Sequence, residues 1–236
     1  MNILAFDTCL GAVSAAVRWH GPDGGLRREA YEVRAAGHAE RLLPMVAEVM
    51  DGAGLAFSQL DRIAVTLGPG GFTGVRVGIA AARGLALATG KPVVAATSLA
   101  VMAHRAEEML AEMGEPLGAL RLMVAVDARR GALFVQSFAA GAVETAAAQL
   151  VTPAEAARSL GAEGAVVVGS GATAVAAAAA EAGIAADPRL PDLQPHAGNL
   201  AAMAERLAPV TPVRPLYLRL PDVRPQETPA LARSPA

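Results

Sequence analysis

Leu67-Gly-Pro-Gly-Gly-Phe-Thr-Gly-Val-Arg-Val-Gly-Ile-Ala-Ala-Ala-Arg-Gly-Leu-Ala-Leu-Ala-Thr-Gly-Lys-Pro92 joins a rigid glycine-proline turn to a helix over residues 73–89. Gly74, Gly78 and Ala82 recur every four residues, so they stack along one helix face. A face without bulky side chains admits another backbone at short range, a steric rule that holds in water as well as in membranes. Two readings follow. The face packs on the chain's own sheet, or it docks a second protein.

Working outward, residues 2–7 read as a buried strand and 13–19 as a second, separated by a turn at Gly11. Gly21-Pro22-Asp23-Gly24-Gly25 is a turn, and 27–33 alternates as a third strand. Three strands joined by tight turns form an antiparallel meander. Residues 38–50 place Leu42, Leu43, Met45, Val46, Val49 and Met50 at helical spacing, with Pro44 expected to kink the helix or end an irregular first turn. Residues 61–67 form the strand that delivers the glycine turn, and 92–96 the strand that follows the helix.

A second half begins near Ser98, which is expected to cap a helix reaching about Met113. Residues 121–127 and 132–138 flank Ala128-Arg129-Arg130-Gly131 as a hairpin. A helix over 152–160 opens at Thr152-Pro153, and a strand over 165–168 ends in Gly169-Ser170-Gly171. Helices over 172–182 and 197–207 complete the pattern. Both halves begin with strands meeting at an acidic turn, Asp7 in one and Asp127 in the other, which implies a duplicated α/β architecture with a cleft between lobes. The expected division is an N-terminal lobe over 1–103, a C-terminal lobe over 104–212 and a proline-rich tail over 213–236. In that tail Leu216-Tyr217-Leu218-Arg219 is expected to dock and the end to be disordered.

The totals narrow the function classes. The 236 residues are ample for a core, and the 53% hydrophobic share is inflated by alanine. A formal net charge of −2 supplies no basic field for nucleic acid. A single cysteine, Cys9, excludes an intramolecular disulfide and a multi-cysteine metal site, which suits a reducing compartment. The N-terminus lacks a basic lead and meets Asp7 early, which argues against a leader. The alanine-rich run 172–180 is too short to span a bilayer. The expectation is a cytoplasmic chain without a membrane partner.

Chemistry is sparse. Asp7-Thr8-Cys9 and Asp127-Ala128-Arg129 follow strands, where paired acids can hold a magnesium-phosphate group across a cleft. Either is also an ordinary turn, since Asp bonds its own backbone there. Gly169 and Gly171 before a helix permit close approach to a phosphate or a purine, although the six-residue glycine fingerprint and the Walker lysine are absent. His20, His38, His104 and His196 form no metal-binding spacing, and His38 reads as a helix start. Cys9 has no positive neighbour to activate it, and no serine sits in a Gly-x-Ser-x-Gly elbow.

Asp7-Thr8-Cys9, His38-Ala39-Glu40-Arg41-Leu42-Leu43-Pro44, Gly68-Pro69-Gly70-Gly71-Phe72-Thr73-Gly74-Val75-Arg76-Val77-Gly78, Asp127-Ala128-Arg129-Arg130-Gly131 and Tyr217-Leu218-Arg219, in this order, resemble the TsaB (YeaZ) family. That family's pattern has serine where Gly71 and Cys9 stand, small-for-small changes. The resemblance implies an α/β, two-lobed actin-like and Hsp70-like ATPase (ASKHA, ribonuclease H-like) fold with duplicated βββαβα-type lobes. It implies a non-catalytic subunit that binds and activates TsaD, its paralogue. TsaD transfers a threonylcarbamoyl group to the adenosine 3′ of the anticodon in tRNAs reading codons that begin with A. TsaD carries a His-x-x-x-His metal pair early in the helix after the strand matching 92–96. Thr97-Ser98-Leu99-Ala100-Val101-Met102 has no histidine, and His104 stands alone, so the chain is not expected to be the transferase.

The resemblance also favours docking over core packing for the small-residue helix. Leu42, Val46, Val49 and Met50, with Gly74, Val75, Gly78 and Ala82, would then meet TsaD or a second TsaB. Asp7, Thr8, Asp127, Gly169 and Gly171 would form a vestigial nucleotide cleft. The chain would need no cofactor or metal, with ATP and magnesium handled at the level of the complex with TsaD and TsaE, and would meet tRNA only indirectly. The competing class is a magnesium-dependent ATPase or small-molecule kinase of the actin-like superfamily built on Asp7 and Asp127. A peptidase has neither a metal pair nor a nucleophile constellation to work with.

Overall fold

A computed structural model describes residues 1–21, 24–118 and 120–219, with the side chains of 21 and 24–26 aside. The first sheet has the order β3-β2-β1-β4-β5, formed by β1 (Ile3–Asp7), β2 (Ala12–Gly21), β3 (Gly24–Val33), β4 (Arg62–Thr66) and β5 (Val93–Ala96). The meander is antiparallel, with Phe6 opposite Ala15, whereas β1, β4 and β5 run parallel. β1 is buried on both faces, which is why it reads as a continuous apolar run. Leu4 and Phe6 point to helices α1 (His38–Ala53) and α2 (Phe72–Thr89). Ile3 and Ala5 point the other way, to α3 (Ser98–Glu112) and α6 (Ala197–Ala204).

The second sheet repeats the plan in the order β11-β10-β6-β7-β8, with a short strand β9 (Gln149–Val151) also on β7. Its hairpin, β6 (Leu122–Asp127) and β7 (Leu133–Ala139), turns through Arg129, Arg130 and Gly131, all at positive φ. β8 (Val143–Glu144) lies at one edge and β11 (Ala186–Arg189) at the other, outside parallel strand β10 (Ala165–Val168). Leu122, Val124 and Val126 face α3, while Met123 and Ala125 face α4 (Pro153–Ser159) and α5 (Ala172–Glu181). Thr152 closes a capping box with Glu155 at the start of α4.

Several expectations shift. α1 runs through Pro44 without ending, and Pro44 lies on the exposed side of the helix, with Glu40 exposed one turn before it. Thr97, not Ser98, caps α3: its hydroxyl accepts from the Ala100 N–H, while Ser98 is buried and donates to the Pro69 carbonyl at 2.6 Å. β9 and β11 were not expected, and Pro188 explains the second omission, being tolerated only because β11 is an edge. α6 stops at Ala204, and Arg62 of β4 donates to the Ala204 and Leu207 carbonyls.

A boundary at 103/104 would cut α3, and α6, inside the expected 104–212 lobe, covers the first sheet. Pro209 also bridges to Val94 on β5. Among the described residues no helix is long and apolar enough to cross a membrane. The disordered end expected for the tail lies outside the described residues, but residues 216–219 are docked.

Candidate functional site

The small-residue stripe of α2 exists for the chain's own backbone. A Cβ on Gly74 would stand 2.0 Å from the Thr8 carbonyl oxygen, and one on Gly70 would stand 2.2 Å from that of Cys9. One on Gly78 would meet the Thr8 hydroxyl at 2.8 Å. The β1–β2 turn thus lies directly on the helix, tied by Thr8 Oγ1 donating to the Gly74 carbonyl at 2.7 Å and by the Gly71 N–H donating to Cys9 O at 2.8 Å. Val75, Gly78 and Ala82 are buried, and Leu42, Val46, Val49 and Met50 of α1 are buried in the core of the first lobe. The expectation that these residues and the half-buried Gly74 meet a partner is therefore corrected. They form the joint between helices and sheet.

What α1 and α2 offer to solvent lies on their opposite faces. On α2 this is a row through Phe72, Arg76, Ala80, Gly84 and Leu87. Leu87 is 89% exposed and Phe72 37%. On the neighbouring α1 it is Leu43, 55% exposed, with Pro44 and Ala47. Ala80, Gly84 and Ala88 form a second small-residue row at four-residue spacing, and among the described residues a Cβ on Gly84 would meet nothing within 4 Å. Exposed large apolar side chains, Leu87 above all, beside small ones make a surface suited to helix-on-helix docking. Arg41 borders it, held between Glu32 and Glu48, whose carboxyls its guanidinium keeps below their usual range. These charges are exposed, so their contribution to stability is small.

Between the lobes lies a cleft of about 1070 Å³. Its walls are the β1–β2 turn, the first turns of α1 and α2, the β6–β7 turn, Ser170, Gln194 and residues 216–219. Of the five cleft residues expected, Thr8 and Asp127 line it and three do not. Asp127 Oδ1 accepts from the Arg129 N–H at 2.7 Å, a turn-closing bond, and its own N–H donates to Ser170 Oγ. Asp7 is fully buried beneath the cleft wall, accepting from Thr66 Oγ1 and the Cys9 N–H on Oδ1. Gly169 and Gly171 press against β6, where a Cβ on Gly169 would stand 2.6 Å from the Ala125 carbonyl oxygen. These residues do not fit a magnesium-phosphate site shared by Asp7 and Asp127, since one carboxyl faces the core and the other the surface.

Asp7 carries a measurable cost. Its Oδ2 is buried without a partner among the described residues, and burial pushes its pKa up. A raised folded-state pKa means that the native protein holds the proton more tightly than the unfolded chain. Stability is then highest below the ordinary carboxylate pKa of about 4 and falls as pH rises through the folded value. Asp7→Asn is expected to gain about 1 kcal/mol at neutral pH and to flatten this decline. Urea midpoints at about pH 5 and about pH 8 test it, and equal pH dependence in both proteins would refute it.

The other titratable candidates are structural. His38 starts α1, and its Nε2–H donates to the Leu10 carbonyl at 2.9 Å. His196 caps α6 and stacks on Tyr31; burial, with Arg105 and Arg27 nearby, lowers its pKa to about 4. The Cys9 thiol donates to Thr66 Oγ1, and burial beside Asp7 pushes its pKa well up, the opposite of an activated nucleophile. His104 Nδ1 accepts from Asn199.

Two packed α/β lobes around a cleft define an actin-like fold. The family model described as "TsaD: tRNA N6-adenosine threonylcarbamoyltransferase" matches residues 17–168. The chain is 37% identical over 134 residues to the tRNA threonylcarbamoyladenosine biosynthesis protein TsaB of Escherichia coli, a match covering 57% of this chain and 53% of that one. It thus spans about half the length of that curated relative. An uncharacterized protein of Mycobacterium tuberculosis is 34% identical over 95% of this chain and 94% of its own. The structure of YeaZ from Pseudomonas aeruginosa superposes with a TM-score of 0.74 at 32% identity, covering 92% of this chain and 99% of that one. The chain belongs to the TsaB (YeaZ) family.

Proposed function

We propose that this chain is a non-catalytic subunit that binds and activates the TsaD transferase, which threonylcarbamoylates the adenosine 3′ of the anticodon. The observation that carries the reading is the paired solvent face of α1 and α2, with Leu43 and Leu87 in water, on a chain of the TsaB family. The docking residues are those of the outer face rather than the inner stripe. A second copy of the chain would compete for the same face, TsaE would join the complex, and tRNA would be met through TsaD. Nucleotide and metal belong to the complex, and the site of action is the cytoplasm. The rival reading, an actin-like ATPase or kinase, loses support from the burial of Asp7 away from the cleft.

The test is reconstitution. Purified TsaD and TsaE, supplied with threonylcarbamoyl adenylate, ATP and unmodified tRNA, are expected to modify it only when this chain is added. The chain alone is expected to turn over neither nucleotide nor peptide. Equal modification without it, or nucleotide turnover by the chain alone, would overturn the proposal.

A further inference from the structure

Residues 216–219 leave the first lobe and enter the second within four positions. The Leu216 N–H donates to the Leu67 carbonyl at 2.8 Å, at the exit of β4. Tyr217 packs on the core of the first lobe and stacks on Phe72 with ring centroids 5.3 Å apart. Arg76 lies 3.7 Å over the same Phe72 ring, and its Nε–H donates to the Tyr217 hydroxyl at 2.9 Å. The next residue, Leu218, packs on the core of the second lobe. Arg219 then donates to two carbonyls of the β6–β7 turn, Ala128 at 2.6 Å and Arg129 at 3.4 Å. All four residues line the cleft.

The two ends of this segment are held unequally. The first-lobe end has a backbone hydrogen bond, an aromatic stack and a guanidinium clamp. Among the described residues, the second-lobe end has one half-buried leucine and the two Arg219 hydrogen bonds, made to a turn in which Arg129, Arg130 and Gly131 sit at positive φ. Segments with few buried contacts open locally without global unfolding. We propose that residues 216–219 form a releasable clasp across the interlobe cleft, anchored on Phe72 and Arg76 and latched by Arg219. Closed, it ties the lobes together and narrows access to the cleft. Released at Arg219, it frees the β6–β7 turn and opens the cleft wall while both lobe cores stay folded. This goes beyond the docking reading and stands without it.

Hydrogen exchange on the full-length protein tests the clasp. Arg219→Ala is expected to speed exchange at residues 128–132 about ten-fold or more, with the anchored Leu216 and with β1, β4 and β6 unchanged. Unchanged exchange at 128–132 would overturn the latch, and faster exchange throughout would make the segment part of the cooperative core instead. A second measurement uses the chain's lone, buried cysteine as a silent background. Leu218→Cys is expected to react slowly with a thiol reagent, and about ten-fold faster when Arg219→Ala is added. Equal rates with and without Arg219 would also refute the proposal.

Discussion

Gly74→Ala is expected to destabilise the protein by about 3 kcal/mol, although alanine is the better helix former. Two effects of opposite sign compete. Helix propensity favours alanine by about 1 kcal/mol in a helix interior. Against it, the new methyl would stand 2.0 Å from the Thr8 carbonyl oxygen, a backbone atom with no rotamer to escape into. The helix must move off the β1–β2 turn, which weakens the Thr8 hydroxyl bond to the Gly74 carbonyl and the Gly71 bond to Cys9. At about 2–4 °C per kcal/mol for a chain of this size, the melting temperature should drop by about 6–12 °C. Gly84→Ala on the same helix has open space, so it should gain about 0.5–1 kcal/mol. Melting followed by circular dichroism decides between them, and a Gly74→Ala protein that melts with the parent would show that the joint yields.

Leu87→Arg is expected to leave that melting temperature unchanged and to weaken binding to TsaD about 30-fold or more, the equivalent of about 2 kcal/mol at a hot spot. Leu87 is 89% exposed and touches no core, so the free chain loses nothing by the change. Any interface that covers it must desolvate a guanidinium without an assured partner. Leu43→Glu on α1 is expected to act in the same direction, since that helix packs beside α2. Calorimetry with purified TsaD measures it, and undiminished affinity for both variants would move the docking face elsewhere.

Most of the architecture was legible because its signals are local. The meander is legible at Gly11 and in the glycines flanking residues 22–23, the centre of the expected turn, which lie outside the described residues, and the acidic ends of β1 and β6 announce the duplicated plan. The strand over 186–189 was missed because Pro188 argues against a strand unless its edge position is known. The docking face was misread for a sharper reason. α2 carries two small-residue rows at the same spacing, 74/78/82 and 80/84/88, and periodicity cannot say which one meets the sheet. Thr8, far away in sequence, decides it. Its place after a strand makes Asp7 read as a ligand, yet the neighbours that bury it, Thr66 and Cys9, come together only in the fold.

The covering of the first sheet by α6 sets a schedule for synthesis. Strands β1 to β5 are complete once residue 96 has emerged, and Val101 of α3 follows at once, but the rest of the cover over Ile3, Ala5, Ala16, Ala64 and Val94 waits for Leu200 and Ala204. At ribosomal rates of about 5–20 residues per second, that apolar surface stays without its α6 cover for roughly 5–20 s. The N-terminal lobe therefore cannot mature as it leaves the ribosome. Its folding is completed from the far end of the chain, when α6 closes over the first sheet.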